Sequence, residues 1–138
     1  MSSSYKLSFL NNYRDFGLLL LRLGAGGVIS LVHGYAKLIG GPSKWEAVGG
    51  AMGQFGINFF PVFWGFMAMA SEFFGGLLLM LGLLHRWAAI FLTFTMIVAA
   101  TTKITAEGLP AGAYPLVMVF VFASMIFLGP GKLSFDRS

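Results

Sequence analysis

Long apolar runs alternate with brief polar breaks along this chain, and each run has the length of a membrane crossing. The first extends from Phe16 to about Ile39, interrupted by Arg22, His33 and Lys37. The second covers Phe59 to Leu84 with Glu72 as its one charge, the third Trp87 to about Lys103, and the fourth Ala113 to Leu128. A helix crosses the hydrocarbon layer with roughly 20 apolar residues. The short fourth run therefore borrows residues from Leu109 onwards. Gly40-Gly41-Pro42, Leu84-His85-Arg86 and Glu107-Gly108-Leu109-Pro110 separate the runs with residue types that stop helices. Connections this short make neighbouring helices antiparallel. The pattern predicts an all-α membrane protein: a four-transmembrane-helix antiparallel bundle over residues 16–128, with tails at 1–15 and 129–138.

The stretch after Pro42 is more than a connector. Ser43-Lys-Trp-Glu46 has the form of a capping box, in which Ser43 and Glu46 satisfy each other's orphan amides. Trp45, Val48, Met52 and Phe55 then recur at helical spacing. A short interfacial helix in the first outer loop is the expectation. Glycines at positions 49, 50, 53 and 56 leave an irregular apolar loop as the alternative.

Composition supports the membrane reading. Of 138 residues, 57% are hydrophobic and 10% charged, whereas about a quarter of a soluble domain is charged. The net charge of +4 is spread singly beside the apolar runs. That distribution fits the positive-inside rule and argues against a nucleic-acid partner. With Lys6, Arg14, Arg86, Lys132 and Arg137 at one face and Lys37, Lys44 and Lys103 at the other, both termini are expected in the cytoplasm. No cysteine is present, which excludes disulfides, thiolate nucleophiles and iron–sulfur ligation by this chain. The two histidines lie toward opposite faces, so no metal site is expected. The first run contains Arg22 and lacks a small-residue cleavage site after it, so it reads as a retained span rather than a signal peptide.

The few charges inside the spans carry the candidate chemistry. At about 100° per residue, Arg22, Gly26, Ser30, His33 and Lys37 fall along one face of the first helix. Such a seam turns inward, because even the lenient insertion scale charges ~2.5–3.5 kcal/mol for a lone ion at mid-membrane. Glu72, near the middle of the second span, is the expected answer to Arg22, and the two are read as a buried ion pair. Protonation of Glu72 by burial is the other way to relieve the cost. A candidate polar pocket is formed by His33, Lys37, Lys103, Ser30 and Thr102, with Thr95 beside it and Glu107 to balance the lysines. Thr93 and Thr101 are expected to bond back to their own helix. The pair is read as a clamp that fixes helix register, with a pocket or proton path under His33 as the functional alternative. His33 itself is either a packing histidine or a proton carrier. His85, beside Arg86, is expected on a solvated face. Gly26, Gly34, Gly75 and Gly76 are read as helix-packing positions. No catalytic constellation and no motif for a redox cofactor is visible, which leaves enzymatic activity open.

The stretches RLGAGGVISLVHGYAKLIG, SEFFGGLLLMLGLLHRWAA and TMIVAATTK resemble the DoxX family of small four-span bacterial membrane proteins. The matching positions are Arg22, Gly26, His33, Gly34, Lys37, Leu38, Glu72, Gly75, Gly76, Gly82 and Arg86, and the likeness covers residues 17 to 128. The resemblance implies a multi-pass protein of the bacterial inner membrane, linked to quinone-dependent redox chemistry. It would be an accessory or quinone-interacting subunit of a redox complex, with no intrinsic cofactor and a bound quinone or lipid. Arg22 and Glu72 would then be the clamp, while His33, Lys37 and Lys103 would line an outward pocket with His33 as proton donor. The alternative is a non-catalytic structural subunit or assembly factor docked on a larger membrane complex. Expected partners are membrane lipids and either other membrane subunits or further copies of the chain.

Overall fold

A computed structural model describes residues 7–137. Met1–Lys6 and Ser138 lie outside the described residues, and with them the inner charge expected of Lys6. The described chain is helical, with no strand, and has four helical stretches long and apolar enough to cross a membrane.

The first span opens with a 3-10 turn, Ser8–Tyr13, and continues as α1, Arg14–Val28. A π-helical turn, Ile29–Gly34, then interrupts the regular winding before α2, Tyr35–Gly49. Inside α2 the backbone breaks at Gly41, whose φ of 71° is open to glycine and costly for most other residues. Pro42 restarts the helix, since its missing N–H costs nothing in a first turn. The expected short helix is therefore present, but its start is set by Gly41 and Pro42. Ser43 sits inside the first turn rather than at the cap, so the Ser43–Glu46 box is not what begins it.

After a 3-10 turn, Gly50–Phe55, the second span is α3, Pro61–Leu81, and the third is α4, His85–Glu107. A further 3-10 turn, Leu109–Gly112, leads into the last span, α5, Ala113–Leu128. The fourth run does draw on residues from Leu109. Helices pack in chain order: the first span on α3, α3 on α4, and α4 on α5. No comparable backbone packing joins the first span to α5. The bundle is thus an antiparallel row curled toward closure, with Ile29, Leu79, Leu92, Met96, Phe122 and Met125 in its core.

Small residues determine how closely the first span and α3 approach. A Cβ at Gly26 would lie 2.6 Å from the Gly76 carbonyl oxygen, and one at Gly76 would lie 2.6 Å from the Gly26 carbonyl oxygen and from Ser30 Cβ. One at Gly34 would lie 2.5 Å from the Phe73 amide nitrogen. Beyond the break, Gly65 faces the Trp45 carbonyl and Gly49 the Pro61 carbonyl, again with no room for a side chain. Gly75 is different, because its added Cβ would meet only the Leu92 side chain at 3.4 Å. Gly24 faces nothing. The π-helical turn keeps this interface continuous. In a regular helix a residue every fourth position drifts by about 40° per step. The extra residue of a π turn returns Gly34 to the face that already holds Leu18, Arg22, Gly26 and Ser30.

The last nine described residues do not hang free. Gly129–Gly131 are buried against the start of the first span, and the chain then crosses the ends of α3 and α4. The Lys132 amide donates to Asp15 Oδ1 at 3.0 Å. Phe135 N–H donates to the Leu81 carbonyl and Asp136 N–H to the Gly82 carbonyl, at 3.2 and 2.9 Å. Orphan groups at two helix ends are met by this one strap, carbonyls at the end of α3 and, through Asp136, amides at the start of α4.

Stability in detergent should separate these glycines. Gly34→Ala and Gly76→Ala should each cost about 1–3 kcal/mol through forced separation of the helices. Gly24→Ala should instead stabilise by up to about 1 kcal/mol. Equal effects at all three positions in an unfolding titration would contradict the packing described.

Candidate functional site

The carboxylate of Glu72 is 3% exposed and belongs to the middle of α3, where Gly34 holds the first span against its backbone. Its partner is Lys37, whose Nζ lies 3.0 Å from Glu72 Oε1. The lysine side chain is 18% exposed, so one end of the pair touches the outside of the bundle. Lys37 can reach inward because it lies one turn beyond Gly34, the point of closest approach.

The expected Arg22–Glu72 pair is not formed. Arg22 is buried, 1% exposed, but its guanidinium is spent elsewhere. Its Nη1 donates to the carbonyls of Leu79 and Met80 at 3.4 and 3.3 Å, and its Nη2 to the Leu133 carbonyl. Leu79 lies about two turns of α3 from Glu72. The last turn of a helix carries unsatisfied carbonyls and the negative end of the dipole. A cation on the neighbouring helix finds a ready acceptor set there and has no need of a carboxylate.

The other pocket candidates are scattered. Ser30 Oγ donates to the Phe73 carbonyl at 2.7 Å and acts as a tie between the first span and α3. His33 is half-buried and stacks on Tyr114, ring centres 5.3 Å apart and planes 27° from parallel. Thr102 Oγ1 donates to the Val98 carbonyl at 2.9 Å and accepts from Gln54 Nε2 at 2.6 Å, so it serves the connector before α3 rather than a common cavity. Lys103 is exposed. Thr93 and Thr101 bond back to Ala89 and Ile97 as expected, and the Thr95 hydroxyl lies 3.0 Å from Ser71 Oγ, one residue before Glu72. His85 is not solvated: it is 1% exposed, with Nε2 2.9 Å from the Met125 carbonyl. The start of α4, two residues earlier than the apolar run implies, draws its ring under α5.

What the structure does bring together is Lys37 with Glu72, and His33 with Tyr114. Sequence reading missed Tyr114, a phenol at the start of a strongly apolar span, where its position above Val117, Val121 and Ser124 at helical spacing was the available signal. These residues share one face of α5. Between that face and the first span lies a groove of about 480 Å³, lined by Leu21, Val117, Phe120, Val121 and Ser124. The His33–Tyr114 stack bridges the same two spans further along. No three His, Asp or Glu side chains converge among the described residues. The structure therefore offers an ammonium–carboxylate pair, an imidazole and a phenol, with an open apolar groove further along the seam of the first span and α5.

Comparison with known proteins agrees with the architecture. The chain is 27% identical over 128 residues to a Bacillus subtilis protein named "Putative oxidoreductase CatD", an alignment covering 92% of this chain and 90% of that one. No solved structure matches it. The DoxX family pattern matches residues 17–108, which include most of the first span, the Gly41 break, all of α3 and α4, and both members of the Lys37–Glu72 pair. On that match the chain belongs to the DoxX family.

Proposed function

We propose that this DoxX protein is a quinone-interacting accessory subunit of a redox complex in the bacterial inner membrane. The observation that carries the reading is the placement of hydrogen-bonding groups on the seam that holds a lipid-open apolar groove. His33 and Tyr114 bridge the first and last spans further along the same seam as the groove, with the Lys37–Glu72 pair on the first span and α3. A quinone has the matching chemistry: a flat ring with two carbonyl acceptors, and a hydrocarbon tail that is at home in the bilayer. His33 would donate to a ring carbonyl, with Tyr114 stacked beside it. Lys37, held by Glu72, would place positive charge near an oxygen that gains electron density on reduction. Glu72 would keep Lys37 in position. In this role the oxidant or reductant would come from a partner subunit. The relative named as an oxidoreductase is consistent with this role. Arg14, Arg86, Lys132 and Arg137 gather at the strap end of the bundle, which supports a cytoplasmic position for that end.

Binding tests the proposal. Purified protein in lipid nanodiscs, titrated with a short-tailed quinone and followed by tryptophan fluorescence, should show a saturable site. His33→Ala and Lys37→Met should each weaken binding about tenfold, the equivalent of one lost hydrogen bond to a polarised group. No saturable binding, or the same affinity in all three proteins, would overturn the reading. A stoichiometric membrane partner recovered without ligand in that case would favour the structural-subunit alternative.

A further inference from the structure

The end of the bundle away from Lys37 and Glu72 holds a second buried polar cluster, and the C-terminal strap closes it. Arg22 Nη2 donates to the Leu133 carbonyl, while Asp136 reaches α4, accepting from the Leu84 amide on Oδ1 at 3.1 Å and from the His85 amide on Oδ2 at 2.9 Å. Leu84 is the residue that begins α4, and its side chain has no oxygen with which to cap it. The cap is supplied instead from 52 residues away in sequence, by a carboxylate at the positive end of the helix dipole.

We propose that residues 129–137 are a releasable clasp. Closed, they tie together the ends of the first and last spans; open, they admit molecules from that end to the groove between these spans. Three observations converge on this. The first span and α5 lack the close backbone packing that joins the other neighbouring spans, and the His33–Tyr114 stack that bridges them lies at the end away from the strap. The strap starts from α5, covers Leu18 with Gly131, takes Arg22 on Leu133, and is held to Asp15 through the Lys132 amide. The groove's lower lining, Leu21 and Ser124, is next in the chain to Arg22 and to Met125, whose carbonyl holds His85.

The closed state also stores cost that release recovers. Leu84 and Arg137 have φ of 51° and 54°, a left-handed conformation unfavourable for residues with a Cβ. Arg22 Nε and His85 Nδ1 are buried without a hydrogen-bond partner among the described residues. A docked segment that ends on a strained residue, caps the strained Leu84 and covers two unmet polar atoms is a natural two-state element. The inference stands on the strap's own contacts and holds whether or not the groove takes a quinone.

The absence of cysteine makes the experiment clean. With Leu18→Cys as reporter, labelling by a water-soluble maleimide should be slow in the otherwise intact chain. Adding Asp136→Ala should speed it about tenfold or more, because a carboxylate serving two amides is lost. Asp136→Asn, which keeps one acceptor oxygen, should fall between. An unchanged labelling rate in both variants, with helicity retained, would overturn the proposal. Should either variant fail to fold, hydrogen exchange on the unsubstituted protein decides. The amides of Leu84, His85, Lys132, Phe135 and Asp136 should exchange together and faster than those of the α3 core, and exchange as slow as the α3 core would contradict the clasp.

Discussion

An ion buried among greasy helices must be answered by another polar group, and here the answer to Glu72 is Lys37. Much of the half of the bundle around this pair follows from that bond. A carboxylate and an ammonium 3.0 Å apart fix how the first span meets α3. They can meet only because glycines let the two backbones touch at Gly26, Gly34 and Gly76, and because a π-helical turn keeps those glycines on one face. Such a pair is a weak source of stability, since removing two ions from water offsets most of their attraction. Its stronger effect is on register: any slip along the interface would strand both charges in hydrocarbon.

The same constraint acts at the other end with a different solution. Arg22 is met by carbonyls rather than by an acid, drawn from the last turn of α3 and from Leu133. The two ends are thus built on different chemistry. The Lys37 end leaves an imidazole, a phenol and a charged pair near a lipid-open groove, which suits recognition of a polar headgroup. The Arg22 end is shut by a strap whose carboxylate caps α4. One groove runs between them along the seam that the helices leave unpacked.

The spans, their number and the short helix after Pro42 were legible because apolar length and helix-stopping residues are local properties. The close contacts at Gly26, Gly34 and Gly76 were legible for the same reason, whereas Gly75 meets Leu92 only at ordinary contact distance. The partnership of Arg22 was not. Sequence shows side chains and hides carbonyls, so a search for Arg22's partner among acids returns Glu72 when the true acceptors are backbone oxygens. The π turn compounded this. A regular 100° winding puts His33 on the seam with Arg22, whereas the added residue gives that place to Gly34 and directs His33 toward Tyr114. The strap was invisible because Asp136 caps a helix that begins 52 residues earlier, and nothing local marks such a contact.

A double-mutant cycle on positions 37 and 72 tests the central claim most directly. Unfolding free energies would be measured in detergent for Lys37→Met, Glu72→Gln and the double variant, with Arg22→Met combined with Glu72→Gln as the comparison. The account predicts coupling of about 0.5–3 kcal/mol between Lys37 and Glu72 and near-additive behaviour between Arg22 and Glu72. Additivity at 37 and 72, with strong coupling between 22 and 72 instead, would contradict it.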